Sequence, residues 1–238
     1  MPASDPEPDS ETDSGPVPES DPGSHPDPDP ELEFPTTRHA IEPTCARCPA
    51  LTEHRECISW GTGSLEAAVV VVGEAPGAGN PDADRWQGGN WTGKAYTSRH
   101  SGRRIRRILA AVGFGDAYYT NAVKCFPPDE TDPTTNREPT DEERTNCRSH
   151  LLAELETVDP TVVLATGKHA TETVLEAEGR TLEGFLETVL EPIRCESLGV
   201  WLLPILHPSY QDVWIGRLGY DPEEYQEAIR AELEGLCE

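Results

Sequence analysis

Val69-Val70-Val71-Val72 runs straight into Gly73-Glu74-Ala75-Pro76-Gly77. A continuous β-branched run bounded by Gly and Pro reads as a strand buried on both faces. Such strands belong to parallel sheets, and in open α/β sheets ligands bind beyond the carboxyl ends of the strands. This strand therefore delivers a carboxylate, Glu74, to a crevice of that kind. Two later runs also end in polar residues, Tyr118-Tyr119-Thr120-Asn121 and Leu202-Leu203-Pro204-Ile205-Leu206-His207. An acid, an amide and an imidazole at three strand ends form a candidate site.

Helical patterns fill the space between the strands. Ser101-Gly102 opens a helix whose Ile105, Ile108, Leu109 and Val112 recur at helical spacing, and Gly113 ends it. Thr140 with Glu143 three residues later is a capping-box pattern, starting a helix that runs to about Val158. A strand over 161–166 enters a helix at Gly167. Residues 179–199 are expected to hold a short strand or hairpin, and a last helix covers about 222–236. This alternation predicts a three-layer α/β/α domain with a mainly parallel central sheet.

Residues 1–34 read differently. They hold eleven Asp or Glu, nine Pro and no Lys or Arg. Such a stretch buries too little apolar surface to offset ordering entropy, so it is expected to be a disordered tail. The folded domain is then 35–238, opening with a Cys-bearing arm over about 35–60. No run is apolar enough to span a bilayer and no signal-peptide pattern opens the chain, so the expected compartment is the cytoplasm.

The net charge of −25 argues against nucleic acid at first sight. Yet Lys is scarce, with only Lys94, Lys124 and Lys168 against sixteen Arg. An acid surplus of this kind suggests a protein working in concentrated salt. There the Debye length falls to roughly 3 Å near 1 M and self-repulsion is screened. Local charge then says more. Arg99, Arg103, Arg104, Arg106 and Arg107 crowd into nine residues, which reads as an anion-facing patch or as a solvated helix face.

Seven Cys without a secretion signal make a disulfide framework unlikely. Cys45-Ala46-Arg47-Cys48 is a Cys-x-x-Cys pair in an irregular segment. Cys125 follows the strand that ends at Asn121, and Cys147 lies in the helix opened by Thr140. Four thiolates gathered from these places would staple the arm to the domain, and they suit either iron–sulfur or zinc. Cys57, Cys195 and Cys237 have no such company and read as packing residues or free thiols.

Taken together, the motifs resemble the family-4, iron–sulfur uracil-DNA glycosylases. The matching pieces are GEAPG at 73–77, TGKA at 92–95, TNAVKC at 120–125 followed by Pro127-Pro128, EERTNC ending at Cys147, TGKHA at 166–170 and HPSY at 207–210. They fall in the family's order and span about residues 42–235. The resemblance implies a four-iron–four-sulfur cluster on Cys45, Cys48, Cys125 and Cys147, with zinc the second choice. It implies a monomeric hydrolase that cuts the N-glycosidic bond of uracil in DNA and leaves an abasic site, and the acid surplus makes a haloarchaeal source the expectation. Asn121 matches the base-reading Asn, His207 the HP-motif histidine that stabilises the leaving group, and Trp91 the slot of a stacking Phe. Glu74 and Ala75 match pocket positions, with Glu74 assisting the attacking water or the sugar cation. The Arg103, Arg104, Arg106 and Arg107 run would face DNA.

Three departures stand out. The segment 78–90 carries extra residues, with Asp82 or Asp84 as stand-ins for an expected acid. Gly88-Gly89-Asn90 is similar to family-5 glycosylases, which implies a broader base range as an alternative. After HPSY come Gln211-Asp212-Val213-Trp214, where Val213 or Trp214 would substitute for an expected wedge into the duplex. Altered loops also admit a second class of reading, an iron–sulfur DNA-binding module with little or no excision.

Overall fold

The computed structural model describes residues 32–238. Most of the expected tail lies outside the described residues. Its last residue, Phe34, packs on the domain: the ring meets Trp86 edge-on at 5.2 Å, and the Lys94 ammonium sits over it.

In chain order the elements are α1 (Pro49–His54), β1 (Val69–Gly73), α2 (Gly89–Thr92), α3 (Ser101–Ala111), β2 (Tyr118–Asn121), α4 (Asp141–Val158), β3 (Val162–Thr166), α5 (Lys168–Ala177), β4 (Ile193–Cys195), β5 (Val200–Ile205), α6 (Gln211–Trp214) and α7 (Pro222–Cys237). The sheet order is β2-β1-β3-β5-β4. The first four strands run parallel, and β4 pairs antiparallel with β5 as the short strand expected within 179–199. The short helices α1 and α2 lie in stretches that the sequence pattern reads as irregular.

Alternation along the strands divides the core. Val69 and Val71 join Ile105, Ile108 and Leu109 of α3 and Ile229 and Leu233 of α7 on one face. Val70 and Val72 join Leu151 and Leu155 of α4 and Val174 and Leu175 of α5 on the other. A strand buried on both faces has no polar side to alternate with, which is why β1 reads as an unbroken valine run. The result is the three-layer α/β/α fold. The capping box at α4 is present in both directions: Glu143 N donates to Thr140 Oγ1 at 3.2 Å, and Thr140 N to Glu143 Oε2 at 2.8 Å. Among the described residues no helix is long and apolar enough to cross a membrane.

The chain leaves β1 for β2 on one side and reaches β3 on the other. Connections from β1 and β3 therefore diverge at their carboxyl ends, opening a crevice there. Asn121 ends β2 there, and Glu74, Gly167 and His207 follow β1, β3 and β5 at the same end.

Candidate active site

A cleft of about 510 Å³ opens over these strand ends. Glu74, Ala75, Thr166, His169, His207 and Trp214 are among its lining residues. A recess of about 40 Å³ adjoins it and shares Glu74, Ala75 and His207, adding Tyr96 and Asn121. Four residues expected at the site, Glu74, Ala75, Asn121 and His207, are thus brought to one recess. A side chain on Gly73 would close it, because a Cβ there would lie 2.5 Å from the Tyr96 hydroxyl and 2.6 Å from Asn121 Oδ1. Glycine lets the phenol and the amide converge over the end of β1.

His207 is built as a neutral donor. The backbone N–H of Ser209 donates to its Nδ1 at 3.2 Å. A backbone N–H only donates, so Nδ1 is bare and the ring proton sits on Nε2. Burial pushes the imidazole down to about 4, which keeps it uncharged at neutral pH. Glu74 moves the other way. Burial raises its carboxyl, while the positive potential from His169 pulls against that rise.

Tyr96 is a site residue that the sequence reading missed. It holds a left-handed backbone, with φ of 53°, a conformation that costs on the order of 1–3 kcal/mol for a residue other than glycine. Its phenol is hydrogen-bonded to Thr166 Oγ1 at 2.6 Å, and burial holds that phenol well above its ordinary range. The turn is clamped by Arg106, whose Nε donates to the Tyr96 carbonyl at 3.1 Å. Nη2 of the same side chain donates to Thr62 Oγ1 at 2.7 Å and to the Ala95 carbonyl at 3.2 Å. The guanidinium lies 3.9 Å over the Tyr119 ring, and burial lowers it to about 10.

That clamp takes Arg106 out of the run expected to form part of a DNA-facing surface, a run in which not every Arg can point the same way. Gly102, Ile105, Arg106 and Leu109 share the buried face of α3, so Arg106 serves the core. Arg104 forks onto Asp212 at 2.6 and 2.7 Å, tying α3 to α6 and holding the Asp212 carboxyl below its usual range. The guanidinium of Arg103 lies 5.9 Å from the Trp86 ring, and Arg107 is half-buried.

Trp91 lines neither the cleft nor the recess. Its indole N–H donates to the Ala78 carbonyl at 2.8 Å, so the ring braces the 78–88 loop. The aromatic beside Asn121 is Tyr96 instead. Asp82 and Asp84 are exposed on the loop and line neither space. Past His207, Tyr210 and Val213 are exposed at 62% and 60%, while Trp214 faces the cleft with Arg217 stacked on it at 4.4 Å.

The second candidate site is the cysteine cluster. Cys45, Cys125 and Cys147 are buried together with Leu51, Ile58, Trp60 and Val123, and Cys48 packs against them. Each sulfur has a nitrogen partner. Arg55 Nη1 donates to Cys125 Sγ at 3.1 Å, Lys124 N to Cys147 Sγ at 3.3 Å and Asn146 Nδ2 to Cys48 Sγ at 3.6 Å, while His150 Nε2 lies 3.4 Å from Cys45 Sγ. A buried thiol is a poor acceptor and burial pushes Cys147 up to about 12, so N–H groups aimed at sulfur suit metal-bound thiolates. The donor set therefore fits a metal site. Glu42, Cys45 and His150 also offer ligand atoms within 4.8 Å of one another, a mixed set that zinc would accept. Cys57, Cys195 and Cys237 lie outside the cluster: Cys195, the last residue of β4, is buried in the core on the α4–α5 face, and Cys237 packs against the opposite core.

Comparison with known proteins agrees with this architecture. A family profile described as the uracil DNA glycosylase superfamily matches residues 60–233. A type-5 uracil-DNA glycosylase of Pyrobaculum aerophilum is 34% identical over 204 residues, covering 73% of this chain and 82% of the relative. A type-4 uracil-DNA glycosylase of Thermotoga maritima is 30% identical over 168 residues, covering 70% and 77%. A type-4 enzyme of Pyrobaculum aerophilum is 32% identical over 147 residues, covering 61% and 66%.

Proposed function

The chain belongs to the uracil DNA glycosylase superfamily, and on that premise we propose that it hydrolyses the N-glycosidic bond of uracil in DNA. The product is an abasic site, as in base excision repair. The observation that carries this reading is the convergence of Asn121, Tyr96, Glu74 and a neutral, Nε2-protonated His207 on one recess.

Uracil reaches such a recess only after flipping out of the duplex, at a cost of a few kcal/mol. Asn121 then donates from its amide to O4 and accepts from N3–H. Cytosine reverses both polarities and leaves buried groups mismatched. As the glycosidic bond breaks, negative charge gathers on O2. The His207 Nε2–H donates there, in an interaction that strengthens as charge develops. A neutral donor suits this role because it holds its proton while the base leaves. Glu74 orients water or stabilises the sugar cation, and burial raises its carboxyl while His169 opposes that rise. Tyr96 takes the place beside the base that the family resemblance gives to Trp91.

Cys45, Cys48, Cys125 and Cys147 would hold a four-iron–four-sulfur cluster, which supplies a covalent staple between the arm and the domain. The N–H donors to the Cys48, Cys125 and Cys147 sulfurs support this reading, with zinc as the alternative. Protein purified without air should be brown and carry about four irons per chain. A colourless protein with one zinc would overturn the assignment.

Uracil-containing DNA is the partner, met by a monomer in the cytoplasm. Exposed Tyr210 and Val213 at the cleft rim suit insertion into the duplex, with Arg103 and Arg107 on the same side of the reading. The acid surplus fits a haloarchaeal protein working in high salt. The test is a gel assay with a uracil-containing oligonucleotide at high KCl. Cleavage after alkali that needs uracil supports excision; binding without cleavage would favour the DNA-binding module. The likeness of Gly88-Gly89-Asn90 to family-5 glycosylases favours one extension, a base range wider than uracil, read by repeating the assay with other deaminated bases.

A further inference from the structure

Beneath the recess, one lysine and one glutamate are shut inside the fold. Lys124 is 1% exposed and Glu154 is 0% exposed. The Lys124 ammonium donates to Glu154 Oε2, to Thr120 Oγ1 at 2.7 Å and to the Asn121 backbone carbonyl at 2.6 Å. An ammonium has three protons, and all three are placed. Glu154 is equally committed. Its Oε2 also accepts from the Thr120 hydroxyl at 2.6 Å, and its Oε1 accepts from Tyr118 OH and Gly61 N, both at 3.1 Å. The network joins α4, β2 and the Gly61 segment, and one of its acceptors is the backbone of Asn121.

A buried ion pair is a weak source of stability, since an uncharged replacement of the whole pair is often neutral or better. What the pair does supply is position. Asn121 is the last residue of β2, and the N–H of the peptide that follows it donates from Ala122 to the Gly73 carbonyl at 2.7 Å, which leaves the carbonyl side of that plane to Lys124. The Asn121 peptide plane sets where the side-chain amide points. A cation fixed from α4 holds that plane by its carbonyl. The amide in turn reaches the recess beside the Tyr96 hydroxyl, over the gap left by Gly73.

We propose that Lys124, fixed by Glu154 and Thr120, is a positioning residue for base recognition: it holds the Asn121 carbonyl so that the Asn121 amide meets the base at one angle. This rests on the reading of Asn121 as the base reader. It gives the lysine of the TNAVKC segment a task separate from the cysteine beside it.

The test is a double-mutant cycle. Lys124→Met with Glu154→Gln removes both charges together and avoids an orphaned ion. Four proteins are compared in single-turnover uracil excision: wild type, Asn121→Ala, the charge-free pair, and the pair with Asn121→Ala. The pair alone should slow excision by about tenfold, yet add less than about twofold to the cost of Asn121→Ala, because the two act as one unit. Binding to a duplex carrying a non-hydrolysable 2′-fluoro-deoxyuridine should weaken in the same pattern, with binding to unmodified duplex unchanged. A wild-type rate in the charge-free protein, with the cost of Asn121→Ala the same in both backgrounds, would show that the pair only holds the fold and overturns the proposal. If the charge-free pair does not fold, Thr120→Val keeps both charges and strips one anchor. It should show the same non-additivity at about threefold, and additive costs would again overturn the proposal. A wild-type rate for Asn121→Ala alone defeats the reading of Asn121 and this proposal together. A slow Asn121→Ala with equal cost in every background defeats only the role of Lys124.

Discussion

The cleft and the cysteine cluster lie at opposite ends of one five-residue stretch, Asn121 to Cys125, yet they are assembled by different physics. The cleft is a product of the sheet. Its polar residues stand at the carboxyl ends of β1, β2 and β5, and parallel pairing sets their spacing. The cysteine cluster draws on an N-terminal arm, the segment after β2, and α4. Its apolar support is small, mainly Leu51, Ile58, Trp60 and Val123. The first site is preorganised by regular structure, whereas the second depends on what its sulfurs hold. Changes in one region should therefore leave the other standing.

The largest effect should come from closing the recess. Gly73→Ala would force Tyr96 and Asn121 apart by the contacts described above, and a misplacement of about 1 Å is worth on the order of 100-fold in rate. Single-turnover excision should fall by about that factor, while cluster absorbance and iron content stay at wild-type values. Loss of the cluster in this variant would mean that the two regions are not separable.

A second comparison separates the two aromatics. Tyr96→Ala should slow excision by about tenfold or more, because it removes a recess wall and the stacking worth about 1–3 kcal/mol per base. Trp91→Ala should cost less than about threefold, as only the loop brace is lost. The reverse order would return the stacking role to Trp91.

The smallest effect on chemistry should come from the other region. Cys45→Ser should speed proteolysis before residue 60 severalfold, yet leave cleavage within the sheet unchanged. Cys237→Ser should alter neither. Equal protection of the arm in Cys45→Ser would show that apolar packing alone holds it.

How much of this was legible depended on whether a residue's role followed from its own element. The strand ends were legible because β1 is an unbroken apolar run and its turn must follow. The Thr140 start of α4 was legible because a capping box is a local device. Arg106 was not, since a charge run reads as solvated and the buried face of α3 shows only when Tyr119 and the Tyr96 turn are in place. Tyr96 was hidden in a loop by a positive φ that no local pattern announces. Its neighbours did carry one signal: an aromatic between Gly88-Gly89-Asn90 and Ser101-Gly102. Motif position assigns the stacking slot to Trp91, whereas its indole turns toward the Ala78 carbonyl, an orientation that no local pattern announces. The Lys124–Glu154 pair joins positions thirty residues apart, and nothing at either end declares the other.

The central claim is that strand-end geometry makes His207 a neutral donor for uracil excision. The most direct test is the pH dependence of single-turnover excision from pH 5 to 8, for wild type and His207→Ala on one uracil duplex. With the imidazole pushed down to about 4, its neutral form dominates throughout that window, so the wild-type rate should show no step near the ordinary histidine value of about 6.5. His207→Ala should be slower by about 100- to 1,000-fold at every pH, with duplex binding retained. A His207→Ala rate equal to wild type, or a wild-type step near 6.5 that the variant lacks, would contradict it.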